Sequence, residues 1–161
     1  MYVLSPFVVG WLWWRNQQRD PRVPEAGESL VPATVRLIAR AIAVGALLAA
    51  LVVLISPDVA VDNWGWTLTP LTARVLACFT AQVGIGFLLL SLDPRWSSWR
   101  VLVQTFLLAV ALLLVGAIRE WDTFDDANVM TWGYVIGLAG GAIALLALYR
   151  SMERTPRAAP A

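Results

Sequence analysis

The chain has 161 residues, of which 59% are hydrophobic and only 14% are charged, with a mean hydropathy of +0.68. A soluble domain is about 45–50% apolar and about 25% charged, so this composition excludes an ordinary soluble domain and predicts a lipid environment. The net charge is +1 and the arginines form no basic stripe, so no nucleic-acid partner is expected. Histidine is absent, which removes histidine ligation of haem, most zinc sites and the usual general base; no cofactor or metal is therefore expected.

The first apolar segment, residues 1–14, is too short to span a bilayer. At 1.5 Å per residue it reaches about 21 Å, against a hydrocarbon core of about 30 Å. It has neither a positively charged start nor a small-residue cleavage site, and therefore does not resemble a signal peptide. We interpret it as the end of a spanning helix that begins upstream of Met1. The alternative is a complete but tilted, half-inserted anchor.

A polar linker follows at residues 15–34, where three prolines forbid a continuous helix and the charges keep the chain in water. Four apolar stretches of about 20 residues come next, each long enough to cross a bilayer. They cover residues 35–56, 70–92, 99–118 and 130–149. Together they predict an all-α polytopic transmembrane bundle over residues 35–149, connected up and down by short loops. The tail, residues 150–161, lacks apolar periodicity and is expected to be disordered.

The arginines predict the orientation of the bundle. Ten of the twelve basic residues lie in the linker, at the start of the second segment, in the 93–100 turn or in the tail, and only Arg74 and Arg119 lie at the edges of the opposite loops. Basic residues favour the cytoplasmic side of a membrane protein. The linker and the C-terminus are therefore expected in the cytoplasm, with loops 57–69 and 119–129 outside. Since all twelve are arginine, which suggests GC-rich coding DNA, the membrane is expected to be a bacterial inner membrane.

Tryptophan is frequent, with nine copies, and most copies fall near the predicted ends of the spans. Indole rings prefer the membrane interface, so an interfacial belt is the favoured interpretation over ligand stacking. The outer boundary would hold Trp64, Trp66, Trp121 and Trp132, and the inner boundary Trp13, Trp14, Trp96 and Trp99.

The sharpest local pattern is the string WGWTLTPLTAR at residues 64–74. Thr69 followed by Pro70 predicts a helix start, which places Arg74 one turn inside the outer end of a spanning helix. A cation there opposes the helix dipole and requires a partner. One interpretation is a salt bridge to an outer carboxylate; the other is an anion or lipid headgroup held beneath a tryptophan lid. The candidate ligand-binding residues are Arg74, Trp64, Trp66, Asp62 and Asp122.

Small residues mark two helices as packing surfaces. In the last span, Gly133, Gly137 and Gly141 recur every four residues, and Gly84 and Gly86 give a shorter feature in the third segment. Such spacing lets another helix approach closely, either within the bundle or in another copy or membrane protein. Polar residues inside the spans are few. Gln82 and Gln104 are expected to hydrogen-bond across neighbouring helices, and the alternative is that they line a substrate path.

The string at residues 64–74, followed by an apolar helix and then by RWSSWR at residues 95–100, resembles a group of bacterial membrane proteins. The outline of four helices, with an arginine opening the helix after the first outer loop, is distantly similar to the small DoxX-like membrane proteins. The first resemblance covers about residues 35–152 and the second concerns architecture alone. Neither implies an activity, and the N-terminal segment departs from the four-helix pattern.

Three functions follow from these patterns. The leading one is a non-catalytic structural or accessory subunit of the membrane that associates through the glycines of the last span, with the bilayer and a second copy or another membrane protein as partners. The runner-up is a lipid- or solute-binding or transport protein with an outward pocket near Arg74. A membrane enzyme comes last, because no histidine and no nucleophile–base pair is present.

Overall fold

The computed structural model describes residues 4–19 and 27–154, and within those ranges the chain is helical without a strand. The expected disordered tail lies outside the described residues from 155 onward, as does the middle of the expected linker. The helices are α1 (Ser5–Gln17), α2 (Ala33–Ile55), the single turn α3 (Asp58–Val61), α4 (Pro70–Leu92), α5 (Trp96–Arg119) and α6 (Val129–Arg154), with a 3-10 turn at Trp121–Thr123.

Four of these helices, α2, α4, α5 and α6, are long and apolar enough to cross a membrane, which confirms the predicted all-α polytopic bundle. α1 has 13 residues and reaches about 20 Å, so by length it stays short of a span. α4 begins as predicted: the Thr69 hydroxyl accepts a hydrogen bond from the Thr72 backbone N–H at 3.2 Å, and Pro70 occupies the first helical position.

Two boundaries differ from the predicted ones. α5 begins at Trp96 rather than near residue 99, and α6 continues to Arg154, so the first residues of the expected disordered tail are helical. Both extensions have the same cause. The Glu153 carboxylate accepts a hydrogen bond from the Trp96 indole N–H at 3.0 Å and forms an ion pair with Arg100 at 3.0 Å, which ties the end of α6 to the start of α5.

α2 and α4 form the closest helix pair of the bundle. The residues buried between and around them are mostly small, namely Ala39, Ala43 and Ala50 on α2 and Ala73, Ala77 and Gly84 on α4. A Cβ added at Gly84 would lie 2.9 Å from Leu47 Cγ and 3.2 Å from the Ala43 carbonyl oxygen. Without a water-driven hydrophobic force inside lipid, such close backbone approach supplies the packing energy.

One end of the bundle, here called the linker end, is held by a strap at residues 27–31. The Val31 N–H donates to the Pro94 carbonyl at 2.8 Å, and the Trp96 N–H donates to the Ser29 carbonyl at 3.1 Å. Val31 is 3% exposed and packs with Trp99, which is 2% exposed. The strap is therefore anchored to the bundle through the buried Val31, although Leu30 beside it stays exposed. Trp96 and Trp99 belong to the protein core, so the predicted interfacial role is wrong for this pair.

The opposite end, here called the loop end, is closed by loops 56–69 and 120–128, which meet at Gly65. The Gly65 carbonyl accepts hydrogen bonds from the Asp125 backbone N–H at 2.7 Å and from the Thr131 hydroxyl at 3.3 Å. Asn128 donates through its side-chain amide to the Trp64 carbonyl at 3.1 Å. A Cβ at Gly65 would lie 3.0 Å from Thr131 Cα, so only glycine permits this approach. The first turn of α6 is thereby fixed to the loop that precedes α4.

Candidate functional site

The loop end carries a cluster of aromatic side chains. The rings of Trp64 and Trp66 stand nearly perpendicular, at 84°, with centroids 5.2 Å apart. Trp66 also contacts Phe124 at 4.9 Å and Tyr134 at 5.3 Å, both edge to face. Edge-to-face pairs are favoured because the positive ring edge meets the negative ring face. The cluster joins the loop before α4 to the loop before α6 and fixes the orientation of Trp66.

A cavity of about 270 Å³ lies beside this cluster. Its walls combine two indole rings with apolar side chains, two threonines and one carboxylate. The lining residues are Val61, Trp64, Trp66, Thr67, Leu68, Thr123 and Asp125. Drug-sized ligands occupy about 300–1,000 Å³, so this cavity suits a headgroup or a small polar molecule. The indole nitrogen of Trp64 is buried and makes no hydrogen bond within the described residues.

The structure brings together only some of the predicted ligand-binding residues. Trp64 and Trp66 line the cavity, whereas Arg74, Asp62 and Asp122 are exposed and do not line it. The reason is the register of α4. Ala73 and Ala77 turn toward α2 and are buried, which directs the intervening Arg74 away from the loop-end cavity.

The salt bridge expected for Arg74 is not formed. Among residues 4–19 and 27–154, Arg74 forms no ion pair, whereas Arg95 pairs with Asp93 and Arg100 with Glu153. The carboxylates that could have paired with Arg74 all belong to those residues: Asp58, Asp62, Glu120, Asp122, Asp125 and Asp126. Because the helix is within its first turn and a half at Arg74, the long side chain can reach the interfacial water on its own. Arg74 is therefore a surface cation in this fold, and the prediction that it binds a ligand stays a prediction.

α6 presents its small residues outward. A Cβ built at Gly133, Gly137 or Gly141 would meet no atom within 4 Å, so these glycines contact no neighbouring helix at close range. Gly141 is half-buried, and the exposed row continues instead through Gly140. We call this row the small-residue face of α6; it comprises Gly133, Gly137, Gly140, Ala144 and Ala147, in steps of four, three, four and three residues.

A polar network at the linker end was not predicted from the sequence. The Asp93 carboxylate accepts hydrogen bonds from the Arg95 guanidinium at 2.7 Å and from the Ser98 hydroxyl at 2.7 Å, and the Asp93 carbonyl accepts from the Trp99 indole N–H at 2.8 Å. The hydrogen bonds from Arg95 lower the pKa of Asp93 to about 2, against a partial opposing effect of burial. The DPRW turn between α4 and α5 was the available signal, since aspartate before proline favours a turn.

The glutamines pair differently from the prediction. Gln104 on α5 donates to the Tyr149 hydroxyl on α6 at 2.9 Å, and Gln82 on α4 is exposed. The expected Gln82–Gln104 bond is therefore wrong, because α5 meets α6 along its length more closely than it meets α4. Thr123 and Asp125 line the cavity and were missed as a pair, since nothing in their spacing shows that the loop before α6 folds over Trp66.

These features define a multi-pass α-helical membrane protein with a closed linker end, an aromatic loop end and an uncovered small-residue face on α6. Comparison with protein-family models, with curated proteins and with solved structures finds no match to the chain. The resemblances drawn from residues 64–74 and from the four-helix outline remain predictions.

Proposed function

We propose that the protein is a non-catalytic structural subunit of a bacterial inner membrane, and that it associates with a second copy of itself through the small-residue face of α6. The single observation that carries this proposal is that the face is made of small residues suited to close helix packing, yet no other described helix of the chain packs on it. The face consists of glycine and alanine, which cost little side-chain entropy when buried, yet no atom lies within 4 Å of a Cβ built at its three glycines.

Self-association is favoured over other partners by symmetry. Copies inserted in one orientation expose the same face at the same depth, so a two-fold axis along the membrane normal brings each face against its equivalent. The steps of four and three residues average 3.5 residues, which matches a left-handed pair crossing at about +20°. The row expected from the sequence, Gly133, Gly137 and Gly141, has a constant spacing of four residues, which would instead favour a right-handed crossing.

The orientation is part of the same proposal. Ten arginines cluster on the linker side of the spans, which supports a cytoplasmic linker end and an external loop end. The absence of histidine from the chain supports a non-catalytic role.

The test is the oligomeric state of the full chain in lipid nanodiscs or vesicles, measured by single-molecule photobleaching at increasing lipid dilution. Gly137→Leu places a bulky side chain on the face and is expected to shift the population to single photobleaching steps, with at least a tenfold loss in apparent association constant. Gly45→Leu is the matched control, because Gly45 is also an exposed, mid-helix glycine with no atom within 4 Å of its Cβ but lies on α2.

Two outcomes contradict the proposal. One is a wild-type protein that remains monomeric at every lipid dilution. The other is a dimer that Gly45→Leu and Gly137→Leu weaken equally, because the contact would then not lie on α6.

A further inference from the structure

The wall of the loop-end cavity carries a negative charge. Asp125 is the one charged residue among the seven that line it, and it is negative. Arg74, the cation that the sequence placed in this region, is exposed and outside the cavity wall. An anionic group entering the cavity would therefore meet a carboxylate, with the neutral indole N–H of Trp64 as a donor and no cation in the wall. The charge of a matching ligand is positive, the reverse of what residues 64–74 suggested.

One oxygen of the Asp125 carboxylate is able to interact with such a ligand. One carboxylate oxygen, Oδ1, accepts a hydrogen bond from the Ala127 backbone N–H at 3.1 Å, and the backbone of Asp125 is engaged with Gly65 and Thr131. Within the described residues the other oxygen, Oδ2, accepts no hydrogen bond. The loop thus holds the carboxylate by one oxygen and leaves the second for an incoming cation, either as an acceptor for an N–H or as the counter-charge of a quaternary ammonium.

The other walls favour an organic cation over a metal ion. The perpendicular rings of Trp64 and Trp66 provide π systems, which attract a cation within about 6 Å of a ring face, most strongly for tryptophan. A hard divalent metal would instead need six or more oxygen ligands or a cluster of carboxylates. No group of three potential metal-ligating side chains occurs among the described residues.

From these three features we infer that the loop-end cavity binds an ammonium group, with Asp125 as the counter-charge and Trp64 and Trp66 as the aromatic walls. A carboxylate and indole rings in the wall of one cavity are a combination that suits ammonium and quaternary ammonium groups. The volume of about 270 Å³ admits such a headgroup rather than a complete large ligand. The group is carried either by a soluble amine or by the headgroup of an amine-bearing lipid.

The experiment uses the full chain in nanodiscs of phosphatidylglycerol, which carries no amine, with tetramethylammonium chloride as the probe. Binding is followed by saturation-transfer NMR of the probe's methyl signal at constant ionic strength. Asp125→Asn removes the charge and retains the Oδ1 acceptor for the Ala127 N–H, so the loop is preserved. Asp122→Asn is the matched control, because Asp122 lies in the same loop outside the cavity wall.

Saturable binding of tetramethylammonium is expected for the unmodified chain. Its affinity should be at least tenfold lower for Asp125→Asn and unchanged for Asp122→Asn. Absence of saturable binding would overturn the inference, as would equal affinity in the two variants or saturable binding of inorganic phosphate in place of the cation. A second arm repeats the titration in nanodiscs containing phosphatidylethanolamine. A lower apparent affinity for the probe there identifies the lipid headgroup as the ammonium source, and an unchanged affinity identifies a soluble amine.

Discussion

Two helix pairs in this bundle use different means of attachment. α2 and α4 meet along their lengths, where alanines and Gly84 allow the backbones to approach. α5 and α6 meet through larger side chains and polar bonds, such as Gln104 to Tyr149, and α6 is fixed at its ends by Thr131 and Glu153. Only 6% of the most apolar window of α6 is buried. α2 and α4 bury their small-residue rows against each other, whereas the row on α6 faces away from α5. The comparison teaches that such a row predicts close packing but does not reveal whether the partner belongs to the same chain.

The largest expected loss of stability comes from inserting a bulky side chain into the contact between α2 and α4. Gly84→Leu would force new atoms into a space where even a Cβ lies 2.9 Å from Leu47 Cγ, and it is expected to lower the free energy of unfolding by about 3 kcal/mol, the upper end for overpacking. Reversible unfolding in mixed micelles measures this change. Gly45→Leu, on the open side of α2, should leave stability almost unchanged, and an equal loss in both variants would refute the assigned contact.

The next effect concerns the loop-end attachment of α6. Thr131→Val removes the buried hydroxyl that donates to the Asp125 and Gly65 carbonyls, at 2.6 and 3.3 Å, and keeps the side-chain volume. The loss is expected to be about 1 kcal/mol, because each carbonyl loses one donor but keeps a backbone N–H, from Asn128 on the Asp125 carbonyl and from Asp125 on the Gly65 carbonyl. Hydrogen exchange should rise in the first turn of α6 and not in α2. Uniform exchange throughout the bundle would contradict attachment at the ends.

Acid should weaken the linker end selectively. The pKa of Asp93 is lowered from 3.8 to about 2 in the folded protein, so the ionised, hydrogen-bonded form stabilises the fold above about pH 4. This contribution is lost as the pH falls from about 4 to 2, because the unfolded chain then binds the proton more readily. A denaturation series over that range should show a decline that Asp93→Asn lacks. Equal slopes for both proteins would exclude Asp93 as the titrating group.

The smallest effect is expected at Arg74. Since this side chain is exposed and forms no ion pair with the described carboxylates, Arg74→Ala should change the free energy of unfolding by no more than about 0.5 kcal/mol. The midpoint of unfolding in detergent measures this directly. A loss above about 1 kcal/mol would restore the salt-bridge interpretation.

The sequence predicts the spans well, because the length of an apolar run is set by bilayer thickness and needs no knowledge of packing. It does not predict which interfacial groups turn inward. The sequence pattern assigns Trp96 and Trp99 to a tryptophan belt, whereas the strap at residues 27–31, together with Leu90 and Met152, makes them core residues. The cavity shows the same limit. The charge of its wall depends on the loop before α6, which packs Phe124 on Trp66 and brings Asp125 to the cavity, and on the register that turns Arg74 away. Both are tertiary properties.

The uncovered face of α6 is tested most directly by disulfide scanning in native membranes, after Cys78→Ser removes the natural thiol. Single cysteines replace Gly137, Gly140 and Ala144 on the small-residue face, and Ala139 and Leu146 off it. Self-association through α6 predicts efficient cross-linking at the three face positions and little at the other two. Equal cross-linking at all five positions, or none at the face positions while the protein is shown to be oligomeric, would contradict an α6 interface.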